Sequence, residues 1–513
     1  MSAPVSAPVS ARRLVAGLAA ALVALALLGP LARVVWEAGG AGGLAAADWA
    51  ALRFTLTQAG LSALLSVALA VPLARALARR RFPRRAALVT ALGAPFILPV
   101  IVAVLGLLAV FGRGGLLAGG FGLLGLDPPR VYGLWGVVLA HVFLNLPLAT
   151  RLLLGGWAAI PAERFRLAAS LGAAPRDVAR LLERPMLREV APGALAVIFL
   201  VCLTSFAVAL TLGGGPRATT LELAIYEAFV FSFDLPRAAA LATLQAGIGV
   251  AAAAVGLALA LPSALGGGLD RPVERWDGAS PWPDALVIAL AVLFLGLPLL
   301  AVALDGLPRL LALPASVWWA AGRSLLVAGA ATALCLLLAL ALAVGARGRW
   351  AEGVAALGLA VSPLAVGTGL FLLTLPVADP RALALPVTAL ANALAALPFA
   401  LRALRPAARE AEAVHGRLAD SLGMRGWARL RLVTLPRLRR PLGFAAGLAA
   451  ALSVGDLGVV ALFAAEDATL PLQMIRLMGA YRMDDAAGAA LLLMGLALGL
   501  FALLDGWGRR APA

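Results

Sequence analysis

Long apolar segments recur from one end of the chain to the other. Twelve runs of about 20 mostly apolar residues are long enough to cross a bilayer as helices. Apolar residues make up 62% of the 513 residues and charged residues only 13%, whereas soluble domains are about half apolar. The sequence therefore predicts an all-α polytopic membrane protein. The predicted spans are 14–35, 54–77, 87–111, 131–156, 190–213, 237–262, 284–307, 317–345, 351–376, 382–404, 441–463 and 486–507.

The first apolar run begins directly after Arg12 and Arg13. Basic residues followed by an apolar stretch are typical both of a cleaved signal peptide and of an uncleaved first span. Since the run extends to Trp36 and further spans follow it, its length favours the uncleaved span.

The formal net charge is +16, and the chain contains no lysine, so that arginine carries all 42 positive charges. In a polytopic protein such charge is interpreted by its position along the chain. If the N-terminus is cytoplasmic and the spans alternate, most arginines fall on the cytoplasmic side. The positive-inside rule then predicts a multi-pass protein of the cell inner (cytoplasmic) membrane with both termini cytoplasmic. Membrane lipid is its expected surrounding, and no nucleic acid is expected as a partner.

Residues that could bind a metal or carry out catalysis are scarce in this sequence. Cys202 and Cys335 fall within predicted spans, and the two histidines are His141 in a span and His415 in a polar loop. These positions predict no metal site, no catalytic site and no cofactor. A phosphate-binding P-loop requires a lysine, so we expect any ATP hydrolysis to occur in a separate subunit.

An internal repeat divides the chain. "RLAASLG" begins at Arg166 and "RLADSLG" begins at Arg417, an offset of 251 residues, and "LPLATRLL" at 146–153 matches "LPFALRAL" at 397–404 with the same offset. The repeat predicts two homologous halves of six helices each, residues 1–265 and 284–513. A Gly- and Pro-rich cytoplasmic linker, residues 266–283, is expected between them.

The best-matched part of the repeat is a polar loop between the fourth and fifth spans of each half, residues 160–188 and 409–440. Residues 162–171 predict a short helix that ends at Gly172, and residues 176–184 predict a second that ends at Pro185, with Pro175 in its first turn. We expect two short helices that meet at a glycine. Such a loop could dock a partner protein, or it could lie on anionic lipid with its arginines among the headgroups.

A glycine followed thirteen residues later by a proline, in a cytoplasmic loop before the penultimate span, resembles the "EAA" loop of ABC importer permeases. In that family the loop docks into a groove of the ATPase subunit. The family's acidic residue is replaced here by arginine in both copies. The resemblance implies two copies of an ABC ATPase as partners, with contacts at Arg166, Ala168, Ala169, Gly172, Leu182, Pro185, Arg417, Ala419, Gly423, Val433 and Pro436.

Two such loops in one chain resemble the fused permeases of iron and thiamine importers. "SFAVALTLGGGPRATTLELAIYEAF" from Ser205, "LSVGDLGVVALF" from Leu452 and "GAYRMDDAAGAALLL" from Gly479 are similar to the thiamine permeases. The resemblance implies the MetI-like permease fold, thiamine or its phosphate esters as substrate, and a periplasmic or external thiamine-binding protein. Ferric iron or polyamines remain alternative substrates, and a secondary transporter with parallel repeats is the alternative class.

Acidic residues supply the remaining candidate sites. An ionisable group within a span is costly and is a functional candidate by default, so Asp456 is a candidate for the translocation path of a cation. A hydrogen bond from Asp456 to a neighbouring helix is the alternative. In the outer polar stretches, the candidates for docking the binding protein are Glu222, Glu227, Asp234, Glu466 and Asp467.

Overall fold

The computed structural model describes residues 7–40, 43–92, 97–123, 125, 127, 131–213, 215, 218–258, 280–346, 348, 350–463 and 468–510, which contain helices and no strand. The fold class predicted from the apolar runs is confirmed. Before the linker, the helices are α1 (Ala7–Ala38), α2 (Ala46–Arg79), α3 (Arg85–Ala91), α4 (Val100–Phe111), α5 (Leu116–Leu123), α6 (Leu134–Ala159), α7 (Ala162–Ser170), α8 (Pro175–Val178), α9 (Arg184–Leu203), α10 (Phe206–Leu212), α11 (Leu221–Val230) and α12 (Leu235–Ala258).

The described helices after the linker begin at Trp282. Most of the predicted linker lies outside the described residues, which resume at Ser280. The helices are α13 (Trp282–Gly306), α14 (Ala315–Gly345), α15 (Trp350–Ala360), α16 (Pro363–Thr374), α17 (Ala384–Ser421), α18 (Gly426–Arg429), α19 (Leu435–Val454), α20 (Gly458–Leu462), α21 (Leu470–Gly479) and α22 (Met483–Arg509).

Eleven helices of the described chain are long and apolar enough to cross a membrane, one fewer than the twelve predicted runs. The missing one is the run 351–376, which is divided into α15 and α16. Ser362 accepts hydrogen bonds from the backbone N–H groups of Leu364 and Ala365 and so starts α16 anew. Pro363, the first residue of α16, has no N–H for a continuing helix and clashes with the preceding turn, which explains the break.

The described helices pack into two compact units that do not follow the order of the sequence. One unit contains Met1–Leu44, Ile225–Val250 and Leu311–Ala513, and the other contains Ala45–Ala224 and Ala251–Leu310. Within the first unit, α1 packs against α14 and α16; within the second, α13 packs against α2 and α4. The first helix of each sequence half therefore packs with helices of the other half. The repeat halves 1–265 and 284–513 describe a duplication of the sequence and stay a prediction.

Each unit contains a close helix crossing of the same kind, a glycine against a proline carbonyl. A Cβ atom added to Gly106 of α4 would lie 2.5 Å from the carbonyl oxygen of Pro298 of α13, and one added to Gly369 of α16 would overlap the carbonyl of Pro30 of α1. Helix backbones can approach this closely only where one of them carries no side chain. A glycine thus lets the first helix of each half pack directly against a helix of the other half.

Replacing Gly369 by Ala tests this crossing. The added methyl group has no room against the Pro30 carbonyl, so we expect the free energy of unfolding to fall by about 1–3 kcal/mol, the usual cost of overpacking. The measurement is the thermal midpoint of the detergent-solubilised protein. Gly329→Ala is the matched control, because nothing lies within 4 Å of a Cβ atom at that exposed position of α14. Equal midpoints for the two variants would contradict the close packing.

Candidate functional site

The first polar loop turns sharply at Gly172, as predicted. Helix α7 ends at Ser170, and Gly172 adopts the left-handed conformation with φ of +68°. The backbone N–H of Ala173 donates to the carbonyl of Ala168 at 2.9 Å, and that of Gly172 donates to Ala169 at 3.0 Å. These bonds satisfy the last carbonyls of α7 in the manner of a Schellman motif, which requires φ above zero and therefore favours glycine.

The second loop has the same turn 251 residues later. Gly423 has φ of +66°, and the N–H of Met424 donates to the carbonyl of Ala419 at 2.9 Å. The preceding helix differs between the copies, because α17 continues from the membrane span to Ser421 whereas Pro161 separates α6 from α7. The prediction of a separate short helix is therefore confirmed in the first copy and wrong in the second.

The prediction that a second short helix ends at Pro185 is also wrong. A π-helical turn, Ala179–Glu183, joins α8 to α9 and carries the chain through Pro185 into the next span. The second copy has a π-helical turn at the matching residues, Leu430–Thr434, before Pro436. Each π-helical turn is followed directly by a long helix, α9 or α19. The proline lies in the first turn of that helix, where its missing N–H is tolerated.

Each loop exposes leucines at matching positions around an unpaired arginine. Arg166 and Arg417 are exposed, and neither makes an ion pair with a described residue. The predicted contact residues Pro185 and Pro436 are exposed, Ala168, Ala169, Leu182 and Val433 are half-buried, and Ala419 is buried. We call the exposed arginine and leucines of each loop its docking face: Arg166, Leu167, Leu171 and Leu181 in the first loop, Arg417, Leu418, Leu422 and Leu432 in the second.

The interiors of the two loops differ in chemistry. In the first loop, Phe165 and Val178 are buried in one apolar cluster. At the matching positions of the second loop stand Gly416 and Arg429. The Arg429 guanidinium is buried in the space above Gly416, where it donates to the Gly416 carbonyl at 3.3 Å. An apolar contact is thus replaced by a buried guanidinium.

Two carboxylates neutralise Arg429. Its guanidinium donates to Glu412 at 2.6 Å and to Asp420, and Glu412 also faces Arg12 at 3.9 Å. None of Arg429, Glu412 and Asp420 is repeated in the first copy, so the motifs common to both copies do not reveal the cluster. A position-by-position comparison of the copies does show it, since Glu412 stands opposite Pro161 and Asp420 opposite Ala169.

Asp456 lies in a break between two helices. Helix α19 ends at Val454 and α20 begins at Gly458, whose N–H donates to Asp456 Oδ1 at 3.4 Å. The other carboxylate oxygen is buried and makes no hydrogen bond of normal geometry to a described residue, although the Asn392 side chain lies within interaction range of the Asp456 carboxylate. Close by in the same unit, the Asn392 amide donates to the Ser453 hydroxyl at 3.0 Å. Sequence reasoning missed Asn392, although an amide within an apolar run is a usable signal.

The outer acidic candidates are placed differently from one another. Glu222 is only 1% exposed, so it does not lie on the accessible surface in this structure. Glu227 is exposed, and the partial burial of its carboxyl group raises its pKa while Arg237 opposes the shift. Asp234 is exposed and caps α12 by accepting from the backbone N–H of Arg237 at 3.1 Å. Glu466 and Asp467 lie outside the described residues.

Similar proteins match almost the whole chain. It is 40% identical to a thiamine transport system permease protein ThiP of Brucella abortus over 98% of this chain and 96% of the relative. Proteins of the same name from Salmonella typhimurium and Escherichia coli are each 42% identical over 89% of this chain and 88% of their own length. The chain belongs to this family of transport permeases.

No protein-family model matches the chain. The family assignment therefore rests on relatives that align over most of their length. They confirm the resemblance seen in the repeated loops and the flanking segments. Together with the eleven apolar helices, they make the chain a multi-pass membrane permease of the inner membrane.

Replacing Arg429 by Met tests the charged interior of the second loop. Two carboxylates would then face each other without their cation, so we expect amide hydrogen exchange in residues 412–429 to accelerate about fivefold. This corresponds to about 1 kcal/mol, because Glu412 and Asp420 are partly solvated. The measurement is hydrogen–deuterium exchange by mass spectrometry. Arg431→Met, two residues away at an exposed position, is the control, and equal exchange in both variants would speak against the cluster.

Proposed function

We propose that the chain is the membrane-spanning subunit of an ABC importer that moves thiamine, or its phosphate esters, into the cell. The observation that carries this proposal is the pair of glycine-turned loops with matching docking faces, in a chain whose relatives are named thiamine transport permeases. A separate ATPase subunit supplies the energy, because the chain lacks the lysine of a P-loop.

The two docking faces support contact with two copies of one ATPase. Both loops share the left-handed glycine, the π-helical turn and three exposed leucines, and a shared geometry suits a repeated partner better than two unrelated ones. Each π-helical turn leads without interruption into a membrane-spanning helix. A movement imposed on either loop is therefore passed directly to a span. Closure of the ATPase dimer on ATP would use these connections to open the path alternately to each side.

Asp456 is the proposed cation contact on the translocation path. Its position in a helix break matches that of Ser205, which lies between α9 and α10 of the first half. A helix break frees backbone polar groups, which are tolerated at membrane depth where they line a path or are buried in protein. The buried Asp456 oxygen offers a negative charge to the thiazolium ring of thiamine.

An external binding protein is the proposed source of substrate. Glu227, exposed on α11, and Asp234, just before α12, carry negative charge in the first half, and Glu466 and Asp467 carry it in the sequence between α20 and α21. We propose that these four carboxylates receive the binding protein. Glu222 is left out of this surface because it is buried.

The two loop glycines provide the decisive test. Changing Gly172 and Gly423 together to Val forces a β-branched residue into the left-handed region, at about 1–2 kcal/mol or more for each site. We expect the ATPase to be lost from the purified complex, with thiamine uptake into proteoliposomes reduced at least tenfold. The double change to Asn is the matched control, since Asn tolerates this conformation and nothing lies within 4 Å of a Cβ atom at either site.

Two results would contradict the proposal. The first is retention of the ATPase by a folded Val variant. The second is uptake that follows an ion gradient in the absence of ATP, which would favour the secondary transporter.

Asp456→Asn tests the substrate path, because the amide keeps the size of the side chain and removes its charge. We expect thiamine uptake by the intact complex to fall at least about fivefold, with ATPase copurification unchanged. Asp305→Asn, at an exposed position of α13, is the matched control. Unchanged uptake by the Asp456→Asn variant would contradict a substrate contact and would favour a structural hydrogen bond as the role of Asp456.

A further inference from the structure

An open cleft lies beside the second loop, within one compact unit. Its volume is about 880 Å³, and its walls come from the start of α1, the end of α14, the end of α17 and the turn at Gly423. It contains five arginines, Arg12, Arg13, Arg409, Arg425 and Arg429, and two carboxylates, Glu412 and Asp420. The cleft therefore carries an excess of positive charge.

The two carboxylates pair with Arg429 and do not neutralise the exposed arginines of the cleft. Glu412 and Asp420 bind Arg429, and Glu412 faces Arg12. Arg13, Arg409 and Arg425 are exposed, and none of them makes an ion pair with a described residue. Among the described residues, Arg409 makes a single long hydrogen bond of 3.5 Å, to the Gly348 carbonyl. Three guanidinium groups are thus available to an anion.

The cleft arginines of the second loop have no charged counterparts at the matching positions of the first loop. At the positions that match Arg409, Arg425 and Arg429 the first loop has Ala158, Ala174 and Val178. The two loops nevertheless share the left-handed glycine and the π-helical turn. Docking of the same ATPase at both loops uses what they share, so it does not explain a cluster present in only one of them.

The position of the cleft indicates its ligand. Arg12 is the first residue of the candidate span Arg12–Ala38, and Gly345 is the last residue of the candidate span Ala315–Gly345. These two ends meet, since a Cβ atom at Gly345 would overlap the carbonyl of Arg12. The cleft therefore opens where membrane spans end, at the depth of lipid headgroups. Arginine binds phosphate through paired N–H groups, and clusters of arginines beside a span favour anionic lipid.

We propose that this cleft binds a phosphate group, that of an anionic phospholipid headgroup, through Arg13, Arg409 and Arg425. Arg429, held by its two carboxylates, forms the fixed inner wall. A bound headgroup would then connect the start of α1 to one of the two loops. The proposal is independent of the transported substrate and of the ATPase.

The test uses the full-length permease alone in neutral detergent, with short-chain phosphatidylglycerol as the probe. The triple variant Arg13→Gln, Arg409→Ala and Arg425→Ala places in the second loop the alanines that the first loop carries. We expect its dissociation constant for phosphatidylglycerol to rise at least about tenfold, because each nearby arginine contributes to anionic-lipid binding. The control variant Arg164→Ala, Arg176→Ala and Arg180→Ala removes the same charge from exposed positions of the first loop and should bind within about twofold of the parent.

Equal weakening in both triple variants would show attraction to arginine in general and would overturn the proposal, as would unchanged binding in the first variant. If that variant does not fold, the single change Arg425→Ala must weaken binding about threefold for the proposal to stand. Inorganic pyrophosphate distinguishes the sources of the phosphate group. Displacement of the lipid at low pyrophosphate concentration would overturn the lipid headgroup as occupant in favour of a soluble phosphate ester. Failure to displace the lipid would support the proposal.

Discussion

The packing of this protein depends on two places where a helix backbone lies directly against a proline carbonyl. Gly106 of α4 lies against the Pro298 carbonyl of α13, and Gly369 of α16 lies against the Pro30 carbonyl of α1. In a membrane, helices gain little from burying apolar surface against one another, so association depends on close backbone approach and van der Waals packing. Because each contact joins the first helix of one sequence half to a helix of the other half, it ties together segments that lie far apart in the chain.

The two loops show how a duplicated backbone can acquire two interiors. The turn needs only a residue that tolerates a positive φ, and Gly172 and Gly423 both provide it. The space behind the turn accepts side chains of different chemistry. The first copy fills it with Phe165 and an apolar neighbour, and the second fills it with the Arg429 guanidinium and two carboxylates. The backbone of the two loops is alike while their charge distribution differs, so the shared turn and the buried arginine are separate properties.

Breaks in helices supply the polar groups that a transport protein needs within an apolar body. An uninterrupted helix satisfies its own N–H and C=O groups and offers nothing to a substrate. The chain breaks at Ser205 and at Asp456, at matching positions of the two halves, and the second break carries an acid. One oxygen of that acid makes no hydrogen bond of normal geometry to a described residue, and the proposed cation contact rests on this observation.

The sequence by itself determined the membrane class, most of the spans, the repeat and the glycine turns, because apolar length and the φ preference of glycine are local properties. Its repeated loops and flanking segments also resemble those of a known permease family, and the relatives confirm that resemblance. Only the tertiary structure decided that α1 and α13 pack with the opposite halves, that the run 351–376 is divided at Pro363, and that Arg429 lies against Gly416. It likewise showed that Pro185 continues a helix rather than ending one. These outcomes depend on which surfaces meet, and residues as distant as Pro30 and Gly369 meet only after the chain has folded.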